Sequence, residues 1–574
     1  MENAGNESRI GDLLFILAKN IAKHDPSLSA REIDLAAWEY TGRILFLKTC
    51  EEWKRETDGQ VRHMFNGGEV HRQLGTLIPV AAQRFGDALL PWDMAHPHGV
   101  SVLPFVEDPV LLRVINAVPG PDGRPHWAER VSAGIETALQ REVIRDRGGI
   151  SYADRAEAVA IGGMRKTPAW FVHYCAGSLA RDLTEGIPAG ANPVVRILDP
   201  SCGCGLYLQC VYRALVTGPA GNPGSLPVLC GIDRDPRAVD VARILFLLMM
   251  LETNGGETRH IPLRDRIRWG DPIIGHTLHD EEAHWFNAPG SWQHALPIDW
   301  AEHFPDASAS GGFDGIIGCP PFRVPGVHRA LTTHLQEWYR SYPGGELAGV
   351  YYAEKGLSLL REGGVLCMAL DRRWLRARSG AGLRRLLREV RIREIVDFGA
   401  FPVWGQVRTQ ASVLLAGPAP PGGLFRACRV RGEATDPVAY LKGHCLFLDQ
   451  RELDSGGWTL ADRRVGRLIA RINAKSTVLD QYMVGKIYAG LPLTESPGLI
   501  RETTRKWIVR NDPLTAPLFR PVIGRKNIAA FRIVPSEEPY VIVVRDMAEL
   551  ALFPGMSRIL RESSGGAVPV FCAR

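Results

Sequence analysis

Val194-Val195-Arg196-Ile197-Leu198-Asp199-Pro200-Ser201-Cys202-Gly203-Cys204-Gly205 decides the fold class. An apolar, β-branched run ends in Asp-Pro, a turn with two glycines follows, and a helical run opens near Leu206. Strand, glycine turn and helix in that order begin a βαβ unit, and the glycines let the backbone approach a ligand closely. A dinucleotide fingerprint asks for a third glycine at position 208, where Leu208 stands, so the nicotinamide reading weakens.

The pattern repeats downstream. Short strands are expected at Val228–Ile232, Ile267–Trp269, Gly315–Ile317, Val365–Leu370 and Ile395–Phe398, each closed by a turn residue, with Ala411–Ala416 as a late edge strand. The polar, His-rich stretch from Ile273 to Ser310 reads as a surface excursion between two strands. Upstream, residues 13–62 carry helical periodicity with a break at Pro26, giving a helical N-terminal domain over 1–150 and an α/β domain over 151–417. Pro418-Ala419-Pro420-Pro421-Gly422-Gly423 reads as a linker to a small mixed α+β domain over 424–574.

A chain of 574 residues with 45% apolar and 23% charged residues has an ordinary globular balance and more length than one core uses. The N-terminus lacks the pattern of a secretory signal, and the longest apolar run, Ile244–Leu251, is too short for a membrane span. A cytoplasmic protein without membrane partners is the expectation. Eleven cysteines include no Cys-x-x-Cys pair, which argues against a disulfide framework and a zinc ribbon. The histidines and glutamates between His276 and His294 lack matching ligand spacing, so no metal is expected. A net charge of +5 permits a polyanionic partner without identifying one.

Three further segments carry chemistry. Asp233, in Gly231-Ile232-Asp233-Arg234-Asp235-Pro236, ends the second strand where a carboxylate accepts from both hydroxyls of a ribose. Asp271, after Trp269-Gly270, suits either an adenine amine or a helix cap. Phe313-Asp314-Gly315-Ile316-Ile317-Gly318-Cys319-Pro320-Pro321-Phe322 ends the fourth strand in two prolines, which hold an extended turn and fix carbonyl oxygens in place.

This last segment resembles the amino-methyltransferases of DNA, whose motif is Asn or Asp, Pro-Pro, then Tyr or Phe. The adenine-N6 enzymes of restriction-modification and phage-defence systems, with the cofactor motif before the Pro-Pro motif, are the group it looks like. The resemblance implies a Rossmann-like sheet with a reversed last strand. It implies S-adenosylmethionine held by Thr167, Pro168, Asp199, Pro200, Gly203, Gly205, Asp233 and Asp271, and a flipped adenine met by Cys319, Pro320, Pro321 and Phe322. Phe401, in Ile395-Val396-Asp397-Phe398-Gly399-Ala400-Phe401-Pro402, is either the second aromatic wall of the base pocket or plain core. Cys319 departs from the motif, for a thiol is a poor acceptor where the family has a side-chain oxygen.

Arg372, Arg373, Arg376 and Arg378 form either a phosphate-contact surface or a solvated helix face. Leu518-Phe519-Arg520-Pro521-Val522-Ile523-Gly524-Arg525-Lys526 resembles part of a target-recognition domain, shorter here than is usual, in which Arg525 and Lys526 suit DNA. The resemblance implies double-stranded DNA as substrate and a nuclease or specificity subunit as partner protein. Two readings stay open: methyl transfer to adenine N6, or a catalytically impaired relative that binds DNA and cofactor. Methylation of a protein glutamine or of RNA by the same Pro-Pro chemistry is the third.

Overall fold

The computed structural model describes most of residues 2–482 and parts of 502–572. Residues 53–68, 90–102, 155–166, 186–192, 219–225, 254–261, 276–296, 324–328, 343–346, 405–409, 483–501, 522–527, 534–539, 545–570 and some shorter stretches lie outside the description. Helices α1 (Glu2–His24) and α2 (Ala30–Glu52) separate at Pro26 as expected, followed by α3 (Val70–Phe85), α4 (Asp108–Ala117) and α5 (Trp127–Ala138). An antiparallel hairpin, β1 (Arg141–Asp146) and β2 (Gly149–Asp154), and helix α6 (Ala169–Thr184) lead into the sheet.

The sheet region runs β3 (Val194–Asp199), α7 (Leu206–Val216), β4 (Leu226–Asp233), α8 (Pro236–Thr253), β5 (Ile267–Trp269), β6 (Phe313–Gly318), α9 (Ala348–Leu359), β7 (Leu360–Asp371), β8 (Arg391–Asp397), β9 (Ala411–Gly417), β10 (Leu424–Arg429) and β11 (Leu446–Asp449). In space the nine strands lie in the order β11-β10-β8-β9-β7-β6-β3-β4-β5. Strands β5, β4, β3, β6 and β7 are mutually parallel, whereas β9 is antiparallel to both β7 and β8. This is the doubly wound sheet with a reversed strand. Successive residues enter opposite cores: Ile197, Ile317, Cys367 and Val413 face one, and Leu198, Ile316, Met368 and Leu414 the other.

The structure departs from the sequence expectations in three places. Strand β9 is interior rather than at an edge: all seven of its residues are buried, as a run apolar but for Ser412, whose hydroxyl is hydrogen-bonded, allows between two partners. The Pro-Ala-Pro-Pro-Gly-Gly stretch is a tight return to the same sheet, with Gly422 at φ 132° and Gly423 at φ 74°, where L side chains are disfavoured. Strand β10 then pairs in parallel with β8, and Arg426 Nη1 donates to Glu394 Oε1 across the pair at 2.8 Å. No break falls at 150 either. Residues of α1, α2 and α5 share one buried cluster with β3, α7 and α8, because α8 is buried around nearly its whole circumference, with Ile244 packed against Gly42 of α2 and Arg237 and Asp240 paired with Asp34 and Arg43.

Two compact units result, Met1–Ile469 and Ala470–Arg574. Within the second, a helix over Glu502–Asn511 and a 3-10 turn over Pro513–Leu518 precede a small sheet of Phe519–Pro521, Tyr540–Val544 and Phe571–Cys572. Arg525 and Lys526 lie outside the described residues, as do the histidines and glutamates of 276–294. No described helix is long and apolar enough to cross a membrane.

Candidate active site

The strand order reverses between β3 and β6, and in open α/β sheets the crevice at the carboxyl ends beside such a point is where ligands bind. The segments singled out in the sequence converge there. Asp199 closes β3, Asp233 closes β4, and Gly318 closes β6 directly before Cys319.

Asp199 is fully buried. Its Oδ1 accepts the Ser201 N–H at 2.9 Å, whereas Oδ2 has no hydrogen-bond partner among the described residues. Burial, the largest cause, pushes this carboxyl up to about 8, and the nearby Asp233 charge adds to it. A Cβ on Gly318 would come within 2.6 Å of Asp199 Oδ1, so only glycine allows the two strand ends to approach this closely.

The loop after β3 is tied to the loop after β4. Cys202 N–H donates to Ile232 O at 2.9 Å, and Gly203 N–H donates to Asp233 Oδ2 at 2.8 Å. Asp235 N–H donates to Asp233 Oδ1 at 2.9 Å, and Gly270 N–H reaches Asp233 O at 3.0 Å. Gly203 and Gly205 hold φ of 52° and 84°, and the Cβ direction at Gly203 opens onto free space. Asp271 is engaged already, with Oδ1 accepting Ile273 N–H and Oδ2 paired with Arg234 Nε, both at 3.0 Å.

Cys319 is half-buried, but its thiol is enclosed enough that burial pushes it up to about 12, with Asp199 and Glu136 adding to the shift. It is a neutral thiol at physiological pH. The Tyr207 hydroxyl lies beside its sulfur and would favour a thiolate, yet that buried hydroxyl forms no well-aligned hydrogen bond among the described residues. Pro320 and Phe322 are buried and Pro321 is half-buried.

The ring against Phe322 is Trp404, edge-on with centroids 5.3 Å apart. Phe401 instead meets Trp170 at 6.0 Å and Phe398 at 6.5 Å, one step back in the same aromatic cluster. Glu136 of α5 accepts the Thr167 N–H at 3.2 Å beside Pro168, which caps α6. Trp404, Tyr207 and Glu136 were not singled out in the sequence. Trp404 three residues after Phe401 was the one local signal; the other two stand in helical patterns that give no hint of where they point.

The arginine run divides. Arg372 is clamped bidentately on Asp397, with Nε at 2.6 Å and Nη2 at 2.9 Å, and Arg373 donates to Asp371 Oδ2 at 2.9 Å. Arg384 is buried, donating to Trp374 O and Ala377 O. Arg376 and Arg378 are exposed.

These residues fit S-adenosylmethionine. A buried carboxylate oxygen left without a partner suits a cation, the glycine loop admits close backbone approach, and Asp233 is held by two backbone N–H groups in a fixed orientation for ribose hydroxyls.

Residues 228–404 match the model of the Eco57I restriction-modification methylase family. No curated protein matches the chain in sequence. Among solved structures, the Type IIL restriction-modification enzyme MmeI, determined in complex with DNA, is similar over 98% of this chain and 74% of its own at 13% identity, with a TM-score of 0.55. That likeness shows a shared fold. The type IIG restriction endonuclease BpuSI is similar over 98% of this chain and 59% of its own, at 12% identity and a TM-score of 0.47. A type I restriction-modification methyltransferase subunit from Streptococcus thermophilus is similar over 82% of this chain and 94% of its own, at 12% identity and a TM-score of 0.38.

Proposed function

We propose that this chain, which carries a restriction-modification methylase domain, transfers a methyl group from S-adenosylmethionine to the N6 amine of an adenine flipped out of double-stranded DNA. The observation that carries the reading is the meeting, at the strand-order reversal, of a buried carboxyl group that keeps one oxygen without a partner among the described residues with the Cys319-Pro320-Pro321-Phe322 turn.

When bound, the cofactor supplies an electrophilic methyl group. The chain's own residues do the rest. Asp199 provides a carboxylate for the cofactor's positive charge, Asp233 accepts from its ribose hydroxyls, and the glycine loop makes room for it. The Pro320 carbonyl accepts a hydrogen bond from one N–H of the target amine, which directs the nitrogen lone pair. Phe322 and Trp404 give the extruded base an aromatic surface and exclude water. Cys319 contributes a weak acceptor at most, so turnover is expected to be slow. Arg376 and Arg378 contact phosphates, and the smaller unit, Ala470–Arg574, is the candidate recognition module.

The neutral Cys319 thiol favours a second reading, in which the chain binds DNA and cofactor within a defence complex without turnover. Tritiated cofactor, mixed-sequence DNA and mass analysis of the digested product separate the two. Label in N6-methyladenine from the unmodified protein supports transfer. Label that resists DNase but yields to protease overturns the DNA reading.

A further inference from the structure

We infer that Asp34, on helix α2 of the N-terminal region, is a positioning residue for the cofactor loop, acting through Arg237 and Asp235 on the ribose carboxylate Asp233. The inference rests on the reading of Asp233 as that carboxylate.

Arg237 is the hub. It lies in the first turn of α8, directly after the loop that carries Asp233, and it is fully buried together with Asp34. All five of its N–H donors are used. Nε and Nη2 hold Asp235 bidentately at 3.0 and 2.8 Å, and Nη1 donates to Asp34 Oδ2 at 2.6 Å. The remaining two reach carbonyls of the N-terminal region, Leu139 O at 3.1 Å and Arg141 O at 2.9 Å. Asp235 passes the constraint on, since its backbone N–H donates to Asp233 Oδ1 while Gly203 N–H fixes Oδ2. An unbroken series of hydrogen bonds therefore runs from α2 to both cofactor loops.

Burial makes this more than packing. With Asp34 neutralised, a fully desolvated guanidinium loses one of the two carboxylates that hydrogen-bond it, and the cheapest response is for Arg237 to turn toward water and take Asp235 with it. The Asp233 carboxylate then loses its fixed orientation, which weakens cofactor binding without touching the methyl-accepting residues. Coupling is reciprocal, so a bound cofactor should in turn steady α2.

A neighbouring ion pair supplies the control. Arg43, also on α2, pairs with the buried Asp240 farther along α8, with Nη2 at 3.2 Å, and among the described residues the Asp240 carboxylate hydrogen-bonds to Arg43 rather than to a cofactor loop. The test measures S-adenosylmethionine binding to the full chain by calorimetry for wild type, Asp233→Asn, Asp34→Asn and Asp240→Asn, with hydrogen exchange in α2. Asp34→Asn is expected to weaken binding about tenfold, within the usual range of site-to-site coupling, and Asp240→Asn less than twofold. Cofactor-dependent protection of α2 should disappear in Asp34→Asn and persist in Asp240→Asn. Arg237→Lys, which keeps the charge but not the bidentate hold, replaces Asp34→Asn should that variant fail to fold, with the same expected loss. Unchanged affinity in the Asp34 or Arg237 variant, or an equal loss in Asp240→Asn, overturns the inference and leaves the cofactor reading intact. A wild type that does not bind, or an Asp233→Asn that binds as well as wild type, removes that reading and the inference together.

Discussion

Replacing Cys319 by asparagine tests the reading where the chain departs from the motif. The substitution adds a side-chain oxygen acceptor at the end of β6, and restoring one such group to a site where charge develops is worth about 3 kcal/mol, or roughly a hundredfold in kcat. The surroundings accommodate it. Cys319 is only half-buried, and the Tyr207 hydroxyl, buried without a well-aligned partner, lies where a carboxamide can meet it. That new hydrogen bond contributes about 1 kcal/mol, against roughly 1–3 kcal/mol for enlarging a packed position, so the variant should fold with a small net loss of stability. Single-turnover transfer of tritiated methyl to DNA, with cofactor and DNA saturating, reads the chemical step directly. Cys319→Asn should be about a hundredfold faster than wild type, with cofactor affinity changed less than threefold. A variant that binds both ligands as before and transfers no faster would refute the argument that the amine lies against position 319. Adding Tyr207→Phe to Cys319→Asn should remove part of the gain, since the carboxamide then loses the group that orients it.

Other perturbations address the remaining parts of the site. Asp199 stays protonated in the folded chain up to about pH 8, whereas the unfolded chain ionises near pH 4, so its burial costs stability progressively as pH rises between those values. Binding a cation reverses this by drawing the proton off. Affinity for S-adenosylmethionine should therefore rise about tenfold from pH 6 to pH 7, and Asp199→Asn should flatten that slope; a pH-independent wild type would sink the assignment. Trp404→Ala should cost about 1–3 kcal/mol in DNA binding, seen as loss of 2-aminopurine fluorescence enhancement, while Phe401→Ala lowers the melting temperature and leaves base extrusion in place. Gly318→Ala drives a Cβ into the Asp199 carboxylate and should weaken cofactor binding at least tenfold by calorimetry. Arg376→Gln with Arg378→Gln should reduce the salt dependence of DNA binding by about two phosphate contacts, whereas Arg372→Gln, which removes the bidentate pair with the buried Asp397, should act on stability first.

The strands that build the sheet were legible because each is a short apolar run closed by a turn residue, a pattern set within a few residues of chain. Their chain order and the motifs at their carboxyl ends were legible for the same reason: Asp199 and Asp233 each end a strand, and Cys319 follows one directly. The sequence by itself thus determined the fold class and the edge at which chemistry is possible. Tertiary structure decided what distant segments do to one another. Strand β9 became interior because it inserts between β8 and the earlier strand β7, and the N-terminal helices joined the same core because α8 is buried against them as well as against the sheet. Arg372 and Arg384 look like Arg376 and Arg378 in sequence, yet only a folded neighbourhood supplies the carboxylate and carbonyls that engage them. Trp404 rather than Phe401 meets Phe322, and Asp199 packs Oδ1 against Gly318 while Oδ2 stays without a partner among the described residues, because those are distances across the fold. Local pattern follows from backbone periodicity, whereas burial, pairing and desolvation depend on which surfaces close over each other.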